Sequence, residues 1–233
     1  MNIIITGAGR GIGFDTVLEL SKDPANKIIA LSRNQESLIR LQKEARTNGH
    51  GNVDVYQFDV SSFEQAAVDR IAGRYGCIDI LINNAAQLIN RRFLDTGLLQ
   101  WKQLFNANLF GVVELIKALF PYLMESKLAH IVNVGSMGGF QGTSKFPGLS
   151  SYSASKAALA NLTECLAQEF DSSKIRVNCL ALGSVNTEML NEAFPGYTAP
   201  VNSAQMARYI AGFSLNAHHF LNGKIIPVSL TTP

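Results

Sequence analysis

Apolar residues along this chain follow two rhythms. Short runs rich in Ile, Val and Leu stand at 2–6 (NIIIT), 27–32 (KIIALS), 53–58 (VDVYQF), 79–83 (DILIN), 130–134 (HIVNV), 175–182 (IRVNCLAL) and 224–229 (KIIPVS). Their length and β-branched content predict strands. Between them, near 11–22, 34–48, 61–75, 98–125, 152–171 and 203–215, the pattern is helical. Strands apolar at nearly every position belong to a sheet covered on both faces. Their alternation with helices predicts an α/β protein, a doubly wound parallel sheet of about seven strands. No repeat, low-complexity segment or linker divides the chain, so residues 1–233 read as a single domain. The least regular stretch is 183–203, where Gly183, Pro195, Gly196 and Pro200 interrupt any long element; a mobile flap on the substrate side is expected there.

Composition then removes several function classes. Lys and Arg number 20 against 18 Asp and Glu, a formal net charge of +2, and like charges form no long block, so no nucleic-acid partner is expected. Cys77, Cys165 and Cys179 are far apart and lack CxxC spacing, which fits buried fillers in a reducing compartment better than disulfides or a zinc site. His50, His130, His218 and His219 lack metal-ligand spacing with carboxylates or cysteines; no metal and no catalytic role is expected of them. No uninterrupted apolar run reaches membrane-spanning length, and the N-terminus lacks a charged region followed by a long apolar one, so a cytoplasmic protein without a membrane partner is the expectation.

The first strand runs into TGAGRGIG (6–13), with glycines at Gly7, Gly11 and Gly13 rather than in the G-x-G-x-x-G register, because position 12 is Ile12. Glycines after a first strand allow a tight turn and close approach of a pyrophosphate, and the next helix offers free N–H groups and the positive end of its dipole. The phosphates are expected over Gly11, Ile12 and Gly13. At the end of the second strand, where an acid would bind the ribose 2′-hydroxyl of NAD, the chain has Ser32 followed by Arg33. Arg33, with Arg10 from the glycine loop, suits a 2′-phosphate, so NADP(H) is favoured over NAD.

With NNAA at 83–86, Asn108 in NANLFG, Ser136 in VNVGS, and Tyr152 and Lys156 in YSASK, the sequence resembles the short-chain dehydrogenase/reductase family over nearly its whole length. The resemblance implies a single-domain Rossmann fold and a set of roles. Asp59 and Val60 would sit by the adenine, Asn83 and Ala85 would close the adenosine side, and Gly183, Val185 and Thr187 would lie near the nicotinamide. Asn108, Ser136, Tyr152 and Lys156 would be catalytic, Tyr152 and Lys156 also touching the cofactor. A homodimer or homotetramer is the family expectation, the apolar stripe at 109–124 serving core and subunit contact.

The chemistry of that set follows from elementary acidity. Hydride arriving at a carbonyl carbon leaves an alkoxide needing a proton, which Tyr152 would donate. Four residues on, Lys156 shares its helix face and is expected to lower the phenol pKa; the resemblance implies that it also holds the cofactor ribose. Ser136 would hydrogen-bond the substrate oxygen, and the resemblance gives Asn108 the anchoring of a relay water. Ala86 replaces a usual glycine, Leu182 a common proline, and GTSKF (142–146) reads as an insertion beside the substrate pocket. The expected activity is NADPH-dependent carbonyl reduction, reversible as an alcohol dehydrogenase. The alternatives are a 3-oxoacyl thioester reductase and a non-catalytic NADP-binding sensor.

Overall fold

The computed structural model describes residues 1–230; the last three positions of the 1–233 span lie outside the described residues. The order is β1 (Asn2–Thr6), α1 (Gly11–Leu20), β2 (Lys27–Ser32), α2 (Gln35–Thr47), β3 (Val53–Gln57), α3 (Gln65–Ala72), β4 (Ile80–Asn83) and α4 (Leu98–Phe105), which a π turn at Asn106–Phe110 joins to α5 (Gly111–Met124). Then follow β5 (Ala129–Ser136), α6 (Ser150–Glu169), β6 (Ile175–Leu182), β7 (Val185–Asn186), α7 (Glu188–Ala193), β8 (Val201–Asn202), α8 (Ser203–Asn216) and β9 (Ile225–Val228). Every long element stands where the apolar rhythm predicts it. The short β7, α7 and β8 inside the expected flap carry too few residues to show a period.

Seven strands form one parallel sheet in the order β3-β2-β1-β4-β5-β6-β9. Period-two alternation divides each strand between two cores. Ile3, Ile5, Ile28, Ala30, Val132 and Leu180 point to the face covered by α1, α2 and α8, while Ile4, Ile29, Ile131 and Val177 point to that covered by α3, α5 and α6. Each fully buried Ile or Leu contributes about 1.5–3 kcal/mol of apolar transfer. The chain order reverses at β1, whose neighbours are β2 on one side and β4 on the other. Loops leaving the carboxyl ends of β1 and β4 therefore diverge and open a crevice.

One expectation, that all three cysteines are buried, is corrected. The continuous helix Leu98–Met124 has the length and a mean hydropathy of 1.4 that would suit a membrane span, although no uninterrupted apolar run is long enough. Its inward residues Leu104, Val112, Leu115 and Leu119 are buried in the protein, as in a core helix. Of the cysteines, only Cys179 is a buried filler; Cys77 is half-buried and Cys165 exposed.

Candidate active site

The crevice is a cleft of about 1080 Å³, at the upper end of ligand pockets. Its floor is the glycine turn. Gly7 and Gly11 hold φ of 68° and 56°, left-handed values that a side chain resists, and a Cβ on Gly13 would run into the Gly7 carbonyl. Gly9, which the motif reading passed over, is also required, since its Cβ would stand 2.6 Å from Ser32 Oγ. The capping residues of α2 and α8, Asn34 and Asn202, accept N–H bonds; Arg10 at the N-cap of α1 makes no such bond. Gly11, Ile12 and Gly13 line the cleft with the helix N-terminus at their backs. That is a cradle for phosphate.

Ser32, Arg33 and Arg40 line the far end. Arg40, missed in the sequence because it lies one turn inside α2, stacks 4.9 Å over the Phe14 ring and donates to the Gly9 carbonyl at 3.4 Å. Arg10 is turned away from this group: it pairs with Glu192 of α7 across the cleft mouth, both side chains being exposed. Asp59 and Val60 line the wall, the Asp59 carboxylate accepting from the Ser61 amide at 2.9 Å and hydroxyl at 2.6 Å.

The NNAA motif divides differently from the expectation. Asn83 does not reach the cleft: it is 1% exposed and donates to Asn133 Oδ1 at 2.8 Å, tying β4 to β5. Strand alternation turns the next residue the other way. Asn84 donates to the Thr6 carbonyl at 2.9 Å, and Thr6 Oγ1 accepts from the Asn84 and Ala85 amides at 3.0 Å each, so this doublet fixes the glycine turn. Ala85 and Ala86 line the cleft as backbone wall. Thr187 lines the cleft as well. It caps α7, accepting from the Leu190 amide at 3.3 Å, and its methyl lies 3.4 Å from where a Gly11 Cβ would be, beside the glycine turn. Gly183 and Val185 line the cleft between them.

The reacting groups meet at the carboxyl end of β5. Ser136 ends that strand, and its Oγ accepts from the Gly138 amide at 3.1 Å. A Cβ on Gly139 would stand 2.6 Å from the Ala157 amide nitrogen, so the Gly138-Gly139 pair, unremarked in the sequence, lets this turn press onto α6 and bring Ser136 to Tyr152. Burial pushes the Tyr152 phenol above its ordinary pKa, and the hydrogen bond with Ser136 pulls it back. Lys156 is 2% exposed, its ammonium donates to the Val134 carbonyl at 2.7 Å, and burial lowers its pKa to about 8. The expected lowering of Tyr152 by Lys156 is not found: desolvation dominates the phenol, and the ammonium is given to the Val134 carbonyl.

Asn108 is fully buried, with both ends of its amide committed. Oδ1 accepts from the Gln87 amide at 2.8 Å, and Nδ2 donates to the Gln87 carbonyl at 2.9 Å and Ser155 Oγ at 3.0 Å. The side chain joins the segment after β4 to α6, which leaves any water to the main chain. There the π turn, in which the Gly111 amide bonds the Asn106 carbonyl, disturbs the helical ladder.

Comparison with known proteins places this geometry. The short chain dehydrogenase family matches residues 1–198. The 3-oxoacyl-[acyl-carrier-protein] reductase of Thermotoga maritima is 35% identical over 188 residues, 80% of this chain and 74% of that protein. The crystal structure of a short chain dehydrogenase from Salmonella enterica serovar Typhi superposes with a TM-score of 0.88 at 25% identity, over 97% of this chain and 94% of that one. One from Shigella flexneri, complexed with NADP, superposes with a TM-score of 0.87 at 23% identity, over 97% and 95%. With the family matched over residues 1–198 and a relative 35% identical over 80% of this chain, the chain belongs to the short-chain dehydrogenase family of oxidoreductases.

Proposed function

We propose that the protein is an NADPH-dependent carbonyl reductase, reversible as an alcohol dehydrogenase. The observation that carries this reading is the single cleft joining Arg33 and Arg40 at one end to Ser136, Tyr152 and Lys156 at the other. The residues fit the cofactor: glycines without room for Cβ, an α1 N-terminus toward the phosphates, and guanidinium groups instead of a carboxylate at the end of β2. The NADP found in the Shigella flexneri structure supports the same choice.

Bound nicotinamide supplies the hydride; the chain's part is acid–base and positional. The Ser136 hydroxyl meets the substrate oxygen and stabilises charge developing there, and Tyr152 delivers the proton. Lys156, whose pKa of about 8 leaves it mostly protonated at neutral pH, would hold the cofactor ribose, and its ammonium favours the phenolate. Asn108 holds the 87 segment against α6, fixing the geometry in which these groups meet. A 3-oxoacyl thioester is the second substrate reading, favoured by the Thermotoga maritima relative. For the assembly we read a homodimer or homotetramer in the cytoplasm, supported by exposed Phe93, Leu94, Leu98, Leu99 and Phe110 around α4.

The test is titration of the purified protein with NADPH and with NADH, followed by reduced-nicotinamide fluorescence. A preference for NADPH of about tenfold or more, lost in Arg33→Ala, is expected from a forked guanidinium–phosphate contact. Binding of neither would overturn the phosphate-cradle reading, and binding of NADPH without reduction of any carbonyl would leave a sensor.

A further inference from the structure

The charged groups of the cleft are segregated. Arg10, Arg33, Glu36, Arg40 and Asp59 stand at the cofactor end, and Glu188 lies there too, its carboxylate 3.4 Å from where a Gly11 Cβ would be. Lys156 is committed to Val134 beneath the reacting groups. Beyond Ser136 and Tyr152, among the described residues, the cleft is lined by Leu88, Phe146, Leu149, Met189, Phe194 and Tyr197, with no charged side chain.

Three segments build this apolar end and are tied to one another. The Arg91 amide donates to the Gly148 carbonyl at 2.9 Å, and Asn90 Nδ2 donates to the Ala193 carbonyl at 2.8 Å, so the loop after β4 holds both the 142–146 insertion and the flap. Gly148, at φ 89°, faces Asn90 Oδ1 where a side chain would otherwise stand. The insertion carries one cation, Lys145, which is exposed and does not line the cleft; its ammonium donates to the Phe140 carbonyl at 2.6 Å and Thr143 Oγ1 at 2.8 Å. What the insertion presents to the cleft is Phe146, 54% exposed, opposite Tyr197 at 48%. Arg91 and Arg92 lie on the exposed surface and do not line the cleft. An anionic substrate group entering this end would lose its water without gaining a cation, whereas an apolar body would cover exposed aromatic rings.

Resting on the carbonyl-reductase reading, we infer that the substrate is an uncharged ketone or aldehyde with an aromatic or alicyclic body, gripped by Phe146, Phe194 and Tyr197. Methyl 4-acetylbenzoate and 4-acetylbenzoic acid place a neutral or an anionic group at the same distance from one ketone. With NADPH at neutral pH, kcat/KM for the ester is expected to exceed that for the acid by about thirtyfold or more, the scale of one unfavourable pocket contact. Phe146→Ser should lower kcat/KM for the ester about tenfold, through KM, and Phe146→Leu should restore it, with NADPH affinity unaltered in both. Equal or better turnover of the acid, a preference for acetoacetyl-coenzyme A, or a Phe146→Ser variant with unmoved KM would overturn the inference while leaving the carbonyl-reductase reading standing. If NADPH binds but ester, acid, thioester and 9,10-phenanthrenequinone all go unreduced, the reductase reading fails and this inference with it.

Discussion

On the reductase reading Lys156 is kept at the expense of stability, and the cost can be measured. Its folded pKa of about 8, set by burial, compares with 10.5 for the free side chain. The sign follows from proton counting. Below pH 8 both folded and unfolded states hold the proton, and folding carries the full penalty of burying the charge; between pH 8 and 10.5 only the unfolded state holds it, so stability rises with pH as the penalty is relieved. A depression of 2.5 units corresponds to roughly 3 kcal/mol at neutral pH. Lys156→Met removes that charge at similar length and loses the bond to the Val134 carbonyl, worth about 1 kcal/mol net. The variant is expected to be about 2 kcal/mol more stable than wild type at pH 7 and inactive, with its advantage vanishing near pH 10. Equilibrium urea unfolding of the ligand-free proteins from pH 6 to 10 measures the difference, and other titrating groups cancel between them. A Met variant less stable at pH 7, or an advantage independent of pH, would refute the burial argument.

Three further outcomes are expected. Tyr152→Phe should lower turnover by about 10³-fold or more while NADPH binding stays within about twofold; retained turnover would remove the phenol from the mechanism. Glu192→Gln frees Arg10 from its ion pair across the cleft mouth, so NADPH should bind a few-fold more tightly in low salt and the gain should fade as salt screens it. His130, buried between the Ser214 carbonyl and Asn178 with His218 stacked nearby, has its pKa lowered to about 4 by burial. Its neutral form stabilises the fold above pH 6.5, and roughly 3 kcal/mol of that is lost as pH falls from 6.5 to 4; His130→Gln should flatten the acid limb of the unfolding free energy by about one proton.

The fold was legible because its strands are buried on both faces. A run such as Ile3-Ile4-Ile5 supplies residues to both cores, because alternate positions face opposite sides of the sheet. The helix at 98–124 was legible as one element, but the π turn within it was not. It follows from a packing need: a Cβ on Gly111 would strike the Val60 carbonyl, and Asn108 must reach both Gln87 and Ser155. Neither constraint is local in sequence. β7, α7 and β8 escaped for the opposite reason, since elements of two to six residues have no period to read.

The site shows where motif reading stops. A motif names residues that occur together but not which way each faces, and the one-residue difference between Asn83, locked to Asn133, and Asn84, closing on Thr6, is set by strand alternation. Arg40, Gly138 and Gly139 act through close approach in space, which spacing along the chain does not encode. The Tyr152–Lys156 pair was visible as four residues on one helix face, and proximity alone argued that the lysine would acidify the phenol. The fold instead buries Lys156 and half-buries Tyr152, so desolvation raises one pKa and lowers the other. On the reductase reading, a phenol made reluctant by burial stands on one helix face with a lysine that is still mostly protonated at neutral pH; anionic phosphates in the cleft would hold that proton more firmly, and an ammonium lowers the pKa of a phenol. On that reading, proton transfer in this cleft would be coupled to the presence of the hydride donor.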